Sequence, residues 1–355
     1  MESNLYPKDI KQLSGFFASD GAVPKNLQSF VNLVVQRNCN EPLLKMLDYH
    51  FEKPGKFLRG RLAAAIGSAL GVDKEDALWW GACIEMLHNS TLIHDDLQDG
   101  DTHRRGQLSV WQKFGMADAI NAGNILLLSA PQCIDEIESS SELKLKLQLL
   151  YSRDASKVVC GQSFEFYINE FKNPQKLRSH YERCIQGKTA TLFSSVAEGM
   201  ALLAGKDNQQ IRLISQLFLQ MGLVFQIQDD ILDLFGQKGR DEKASDIKEG
   251  KISIFTVELL SQKPEILDQV KIVMGKSREE TTAEDIQWFL REIHQEKILE
   301  KIADDLKIRL GDIQEQLNSI ELRDLRVLSH HLLQMIFKPI AHLSEFAFVE
   351  EFKGE

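Results

Sequence analysis

The stretch EMLHNSTLIHDDLQDGDTHRRG, Glu85–Gly106, decides how the rest of the chain is read. Its spacing predicts a helix that carries Asp95, Asp96 and Asp99, stops near Gly100 and leads into the paired Arg104 and Arg105. At about 100° per residue Asp95 and Asp99 share one helix face, with Asp96 beside them. Three carboxylates at one helix end repel each other, and the macrodipole disfavours anions at a C-terminus. Packing gives no reason for that arrangement, whereas divalent cations do. The pattern returns in FQIQDDILD, which sets Asp229, Asp230 and Asp233 at the same spacing in a second apolar helix. A single DDxxD is ordinarily a solvated helix face. Two copies, each interrupting a strongly apolar run, are expected at the wet rims of buried helices. Facing each other across a cavity, they would hold Mg²⁺ through one or two carboxylates each and leave positions for phosphate oxygens.

Outward from these two helices, apolar residues recur at three- and four-residue spacing and strict alternation is scarce, so the chain is read as all-α. Helices are expected near 24–37, 41–51, 56–70, 74–99, 116–129, 141–171, 174–205, 208–235, 251–262, 281–293, 295–317 and 322–347. Prolines stand where most of them begin, Pro131 should break its segment, and Gly71, Gly100, Gly205 and Gly236 stand where helices should stop. Helices 74–99 and 208–235 are apolar on most faces and should be central. One domain over 1–355 is expected, with the motifs in about 24–295 and C-terminal helices over about 295–347.

The 355 residues, 26% charged and 43% hydrophobic, are those of a globular protein able to enclose a cavity. A net charge of −10 with no basic stripe argues against nucleic acid as a partner. The five cysteines show no CxxC or Cys/His pattern and read as reduced thiols. The start MESNLYPKDIKQL lacks a basic region followed by an apolar one, so no signal peptide is expected. No apolar run approaches the ~18 residues of a transmembrane helix, and a cytoplasmic location is expected.

Basic residues follow the same logic. Gly55-Lys56-Phe57-Leu58-Arg59 opens a helix after Pro54, where free N–H groups with Lys56 and Arg59 suit a diphosphate; an exposed basic helix start is the plainer alternative. Arg104 and Arg105 have salt bridges to the neighbouring Asp triplet as theirs, and His88, two turns before Asp95, has packing. Gly187-Lys188-Thr189-Ala190 is not a nucleotide loop, because it lacks the full Walker spacing and its preceding strand. Residues 236–250, GQKGRDEKASDIKEG, read as a surface loop, or as a lid beside the second triplet.

Taken in order, GKFLR, His88, DDLQD, RRG, Gly161-Gln162, GKTA, FQIQDDILD and DIKEGK resemble the trans-isoprenyl diphosphate synthases, the head-to-tail prenyltransferases. The resemblance implies the isoprenoid synthase fold, helices around a deep central cavity, and a homodimer. It implies that Asp95, Asp96, Asp99, Asp229, Asp230 and Asp233 hold Mg²⁺, three ions per site, with Asp229 the first choice in its triplet. Arg104, Lys188 and Lys251 would clamp an allylic diphosphate; Lys56, Arg59, His88 and Arg105 would bind isopentenyl diphosphate; Thr189 and Gln226 would face the developing cation. Lys188, Thr189 and Gln226 are thereby the catalytic candidates, and the departing diphosphate takes the proton. The chain departs from the family at GKFLRG, at Trp111, at Asn124 and in a short 236–250 segment, where Arg240 or Lys243 would supply the lid cation.

In that family, bulky residues just before the first triplet floor the product cavity. Here Thr91 and Ser90, four and five residues before Asp95, are small, and Leu87 lies a turn deeper. A product of C20 or longer is therefore expected. Two rivals remain: a terpene cyclase on the same fold, which has no use for Lys56, Arg59, His88 and Arg105, and a silent partner subunit, which would be expected to lose an Asp triplet.

Overall fold

The computed structural model describes residues 25–53, 55–165, 171–236 and 244–351. In chain order the helices are α1 (Lys25–Asn38), α2 (Glu41–Glu52), α3 (Leu58–Leu70) and α4 (Lys74–Gln98). A hairpin of β1 (His103–Arg104) and β2 (Gln107–Leu108) precedes α5 (Val110–Phe114), α6 (Met116–Ser129), α7 (Gln132–Asp135) and α8 (Ser141–Ser163). Then come α9 (Gln175–Ile185), a π-helical turn (Gln186–Ala190), α10 (Thr191–Leu203), α11 (Asn208–Phe235), α12 (Ser245–Lys248) and α13 (Ile254–Gln262). The chain continues with α14 (Leu267–Met274), α15 (Ala283–Gln295), α16 (Ile298–Asn318), α17 (Arg323–Phe337) and a 3₁₀ segment (Ser344–Glu351). No described helix is long and apolar enough to cross a membrane.

The all-α expectation holds, with adjustments that have local causes. The helix expected over 174–205 is interrupted by the π turn at Gln186–Ala190. The one expected over 141–171 ends at Ser163, and 166–170 lie outside the described residues. The last expected helix stops at Phe337, just before Pro339. Helix α14 was not expected: Pro264 opens a 3₁₀ turn that runs into it. Of the supposed lid, residues 237–243, with Arg240 and Lys243, lie outside the described residues.

The chain forms two compact units. The first comprises the described residues up to Ala155 with Leu192–Ser215 and Leu322–Leu328. Its axis is α4, against which α1, α3 and α6 pack. Asp73 caps α4 by accepting from the Glu75 and Asp76 amides. Along the helix Leu78, Trp79, Trp80, Ala82, Cys83, Ile84, Met86 and Leu87 are buried on every face, so α4 can sit only in a core. Trp80 donates its indole N–H to the Ser195 carbonyl at 3.2 Å. Gly199 makes room for that ring, since a Cβ there would lie 2.2 Å from it.

The second unit comprises Ser156–Thr191, Gln216–Glu321 and the described residues from Ser329. Helix α13 is its buried centre, with Ile254–Leu260 inaccessible and α9 and α16 packed against it. Arg178 on α9 ties the three together by pairing with Glu258 on α13 and, at 2.8 Å, with Asp305 on α16.

Candidate active site

In the first unit the hairpin after α4 presents the arginine pair. Its two turn residues, Arg105 and Gly106, both have positive φ (55° and 73°), as a tight hairpin turn requires. For Arg105 this is a strained backbone, held by its neighbours. Arg104 donates Nε to Asp96 Oδ1 at 2.6 Å, and a second guanidinium nitrogen pairs with the same oxygen. Asp96 is 1% exposed, and burial pushes its carboxyl up to about 6 although Arg104 opposes this. Its other oxygen, Oδ2, is buried without a hydrogen-bond partner among the described residues. Asp95 is buried as well and Asp99 half-buried. Trp111 donates to the Asp101 carbonyl at 2.8 Å, and so fixes the turn between the triplet and Arg104.

The second basic motif meets the first within this unit. Arg105 donates to the Lys53 carbonyl at 3.0 Å and lies flat on Gly55, where a Cβ would come 2.5 Å from its guanidinium. Arg59 contacts His88 Nε2 at 3.1 Å and lies 5.9 Å from the Phe193 ring centroid. Arginine only donates, so His88 accepts as a neutral imidazole. Burial first, then Arg59 and Arg105, holds its pKa well below the ordinary value. Glu85, 2% exposed, accepts from the Gly60 amide at 2.9 Å and so holds the start of α3. Lys56 is exposed at that start. Deeper in the unit His50 pairs with Asn89 at 2.9 Å, next to the buried Ser90. Leu87 is fully buried, and Thr91, half-buried, donates to the His88 carbonyl.

In the second unit the carboxylates of the FQIQDDILD helix divide their work. Asp230, 5% exposed, accepts from Tyr181 Oη at 2.7 Å, from the Ile254 amide at 2.9 Å and from Gln226 Nε2 at 3.0 Å. Burial nevertheless pushes its carboxyl up to about 6. Asp233 accepts from Ser245 Oγ and from the Asp246 amide, anchoring α12. Asp229 is half-buried. Replacing Asp230 with Ala leaves the Tyr181 hydroxyl and the Ile254 amide buried without their acceptor. The variant is expected to lose about 3 kcal/mol of stability, read from the urea midpoint.

The π turn carries two of the catalytic candidates, Lys188 and Thr189, and α11 the third, Gln226. Thr189 Oγ1 donates to Gln226 Oε1 at 2.6 Å, so Thr189, Gln226, Asp230 and Tyr181 form one hydrogen-bonded line. Such π segments recur at functional sites. Lys188 Nζ lies 2.5 Å from Glu165, and Lys251 Nζ 2.8 Å from Glu249 and 3.9 Å from Glu165.

Several of these partners escaped the sequence reading. Glu85 is an acid inside an apolar helix, a signal that was there to be read. Glu165, three residues after Gly161-Gln162, and Tyr181 gave none, because their partners are remote in sequence. The donor set of each triplet is oxygen only, and the orphaned Asp96 oxygen suits a hard cation. Among the described residues no three His, Cys, Asp or Glu side chains converge as a metal cage. Mg²⁺ ordinarily takes one or two carboxylates plus substrate phosphates, so the residues fit that ion.

The polyprenyl synthetase family model matches residues 40–293. This chain belongs to that family. As a member it is an enzyme, a prenyltransferase of the trans-isoprenyl diphosphate synthase class. It is similar to a geranylgeranyl diphosphate synthase of Sulfolobus acidocaldarius, 35% identical over 239 residues, 66% of this chain and 71% of that one. It also resembles a short chain isoprenyl diphosphate synthase of Methanothermobacter thermautotrophicus, 31% identical over 256 residues, 71% of this chain and 77% of that one. A crystal structure of a geranylgeranyl pyrophosphate synthase superposes with a TM-score of 0.77 at 23% identity, covering 92% of this chain and 98% of its own. The fold is the isoprenoid synthase fold.

Proposed function

We propose that this prenyltransferase joins isopentenyl diphosphate head to tail to an allylic diphosphate, giving an all-trans diphosphate of C20 or longer. The observation that carries the reading is the Arg59–His88 contact with Arg105 seated on Gly55. These residues and Lys56 gather cations and a neutral imidazole in a patch fit for a second diphosphate. A cyclase has no second diphosphate to bind. Arg104 in the first unit, and Lys188 and Lys251 in the second, are the cations assigned to the allylic diphosphate. In the first unit Asp95, Asp96 and Asp99 would hold Mg²⁺, and in the second Asp229 would be the ligand of first choice, with three ions per site; Asp230 and Asp233 accept from protein donors. When bound, Mg²⁺ takes up negative charge as the diphosphate departs. Thr189 and Gln226 keep fixed dipoles toward the allylic cation, with Gln226 oriented by Thr189 on one side and Asp230 on the other. No side-chain base is assigned.

The reading extends to a homodimer. Met116, Ile120 and Leu128 on α6 are exposed at helical spacing, as are Leu145 and Leu149 on α8. Tyr151 Oη joins the two helices by donating to the Leu127 carbonyl at 2.6 Å. A double variant Leu128→Glu/Leu149→Glu is expected to sediment as a monomer where the parent sediments as a dimer; unchanged sedimentation would remove this face as the interface. All five cysteines are free thiols, which supports a reducing, cytoplasmic setting.

The test is turnover. Purified protein with Mg²⁺, isopentenyl diphosphate and, separately, dimethylallyl, geranyl and farnesyl diphosphate is expected to yield an all-trans C20 or longer diphosphate, lost on adding EDTA. Diphosphate release from the allylic substrate alone, with a hydrocarbon or alcohol product, would replace this reading by a cyclase.

A further inference from the structure

Five charged side chains of the second unit alternate in sign. Lys188 Nζ lies 2.5 Å from Glu165 Oε2, and Glu165 Oε1 lies 3.9 Å from Lys251 Nζ. Lys251 Nζ lies 2.8 Å from Glu249 Oε2, and Arg278 closes the run on Glu249 Oε1 at 2.5 Å. Neither acid is a surface group, since the Glu165 side chain is 13% exposed and that of Glu249 4%. The members come from separate places: after α8, in the π turn, after α12 and after α14. Buried charges are tolerated only when matched, and alternation matches each of them.

Glu165 stands between the two lysines of that run and faces both. Its place follows from the backbone. At Gly161 the end of α8 runs so close to the π turn that a Cβ would lie 2.4 Å from the Lys188 amide nitrogen. Glu165, four residues on, is thereby brought level with the Lys188 side chain. Burial pushes the Glu165 carboxyl up, but Lys188 first and then Lys251 more than offset this and hold it below the usual range, so it is an anion.

We propose that Glu165 is a positioning residue for diphosphate binding. Its carboxylate holds the Lys188 and Lys251 ammonium groups side by side, so that both face one ligand. This rests on the reading of those two lysines as ligands of the allylic diphosphate. Each ammonium has three donors, and phosphate oxygens are acceptors of the kind it already meets in Glu165. Without the intervening anion the two like charges repel, and flexible four-carbon stems let them part.

The sign of the effect separates this role from its rival. A mere competitor for the lysines would, on removal, let the allylic diphosphate bind more tightly. A positioning group would, on removal, weaken it. Glu165→Gln, nearly isosteric and neutral, is expected to raise KM for the allylic diphosphate about tenfold, the worth of one charge-assisted contact. KM for isopentenyl diphosphate, measured in the same full-length protein, should stay within about twofold. Glu165→Asp keeps the charge but draws it back by one methylene, and should fall between; it carries the test if the Gln variant does not fold. On a Lys188→Ala background the Gln change should add clearly less than it does alone, since it acts through that lysine. An unchanged or lowered allylic KM, an equal rise in both KM values, or full additivity would each overturn the role of Glu165. If Lys188→Ala and Lys251→Ala themselves leave the allylic KM unchanged, the lysine assignment falls and takes this role with it. A rise in the lysine variants without one in Glu165→Gln overturns Glu165 alone.

Discussion

Replacing Asp95 with Ala is expected to lower kcat about a thousandfold at saturating Mg²⁺, the equivalent of about 4 kcal/mol of transition-state stabilisation. The reason lies in where the charge goes. As the allylic carbon–oxygen bond breaks, the diphosphate gains negative charge that the protein can meet only with fixed cations and held metal. Asp95 is buried at the C-terminal end of α4, beside Asp96, where the helix macrodipole and the neighbouring carboxylates disfavour an anion. The same change should therefore leave the metal-free melting temperature equal to or above that of the parent, because it removes one of three crowded like charges. Loss of activity without loss of stability is the signature of a functional acid. A kcat within about tenfold of the parent, or a fall in melting temperature matching the loss of activity, would defeat the assignment. The contrast with Asp230→Ala is informative, because Asp230 has three protein donors and its loss should be felt first in stability.

How much of this was legible in the sequence depends on the range of the interaction. The helices of the two Asp triplets were readable because apolar periodicity is a local signal, and 208–235 matches α11 at both ends. The resemblance grouped Arg59 with His88 although they lie 29 positions apart, but their direct contact comes from the packing. The π turn was not readable: the slip of one backbone hydrogen bond at Gln186–Ala190 leaves the side-chain pattern almost unchanged. The resemblance set Asp229 apart from its neighbours, but the protein donors that occupy Asp230 were not readable. Asp230 is occupied by donors 49 and 24 residues away, Tyr181 and Ile254, and no spacing rule reaches so far. Gly55, Gly161 and Gly187 read as turn or motif residues. Their common use is to let a guanidinium or a backbone approach closely, which only the packing reveals.

Product length should respond to the floor of α4 in both directions. Ser90 lies five residues before Asp95, about 7.5 Å along the helix, and Leu87 about 12 Å. An allylic chain whose diphosphate sits at the Asp triplet and which grows along α4 reaches the level of Thr91 and Ser90 first and that of Leu87 next. Deeper still, Met86 touches Cys133 at 3.8 Å. Ser90→Phe is expected to shift the main product from C20 or longer to C15, because the ring fills the level that Ser90 leaves open. Ser90 is 1% exposed, so the larger side chain also risks overpacking at a cost of about 1–3 kcal/mol. Thr91→Phe, at a half-buried neighbour, gives an independent route to the same shortening. Leu87→Ala makes the opposite change and should lengthen the product, at a cost in stability of about 2–5 kcal/mol. Chain length is read by chromatography of the dephosphorylated products at equal turnover, so a slow variant is not mistaken for a short-product one. If Ser90→Phe and Thr91→Phe both fold and both return the parent distribution, the growing chain does not run along α4. The floor must then be sought among residues of another helix.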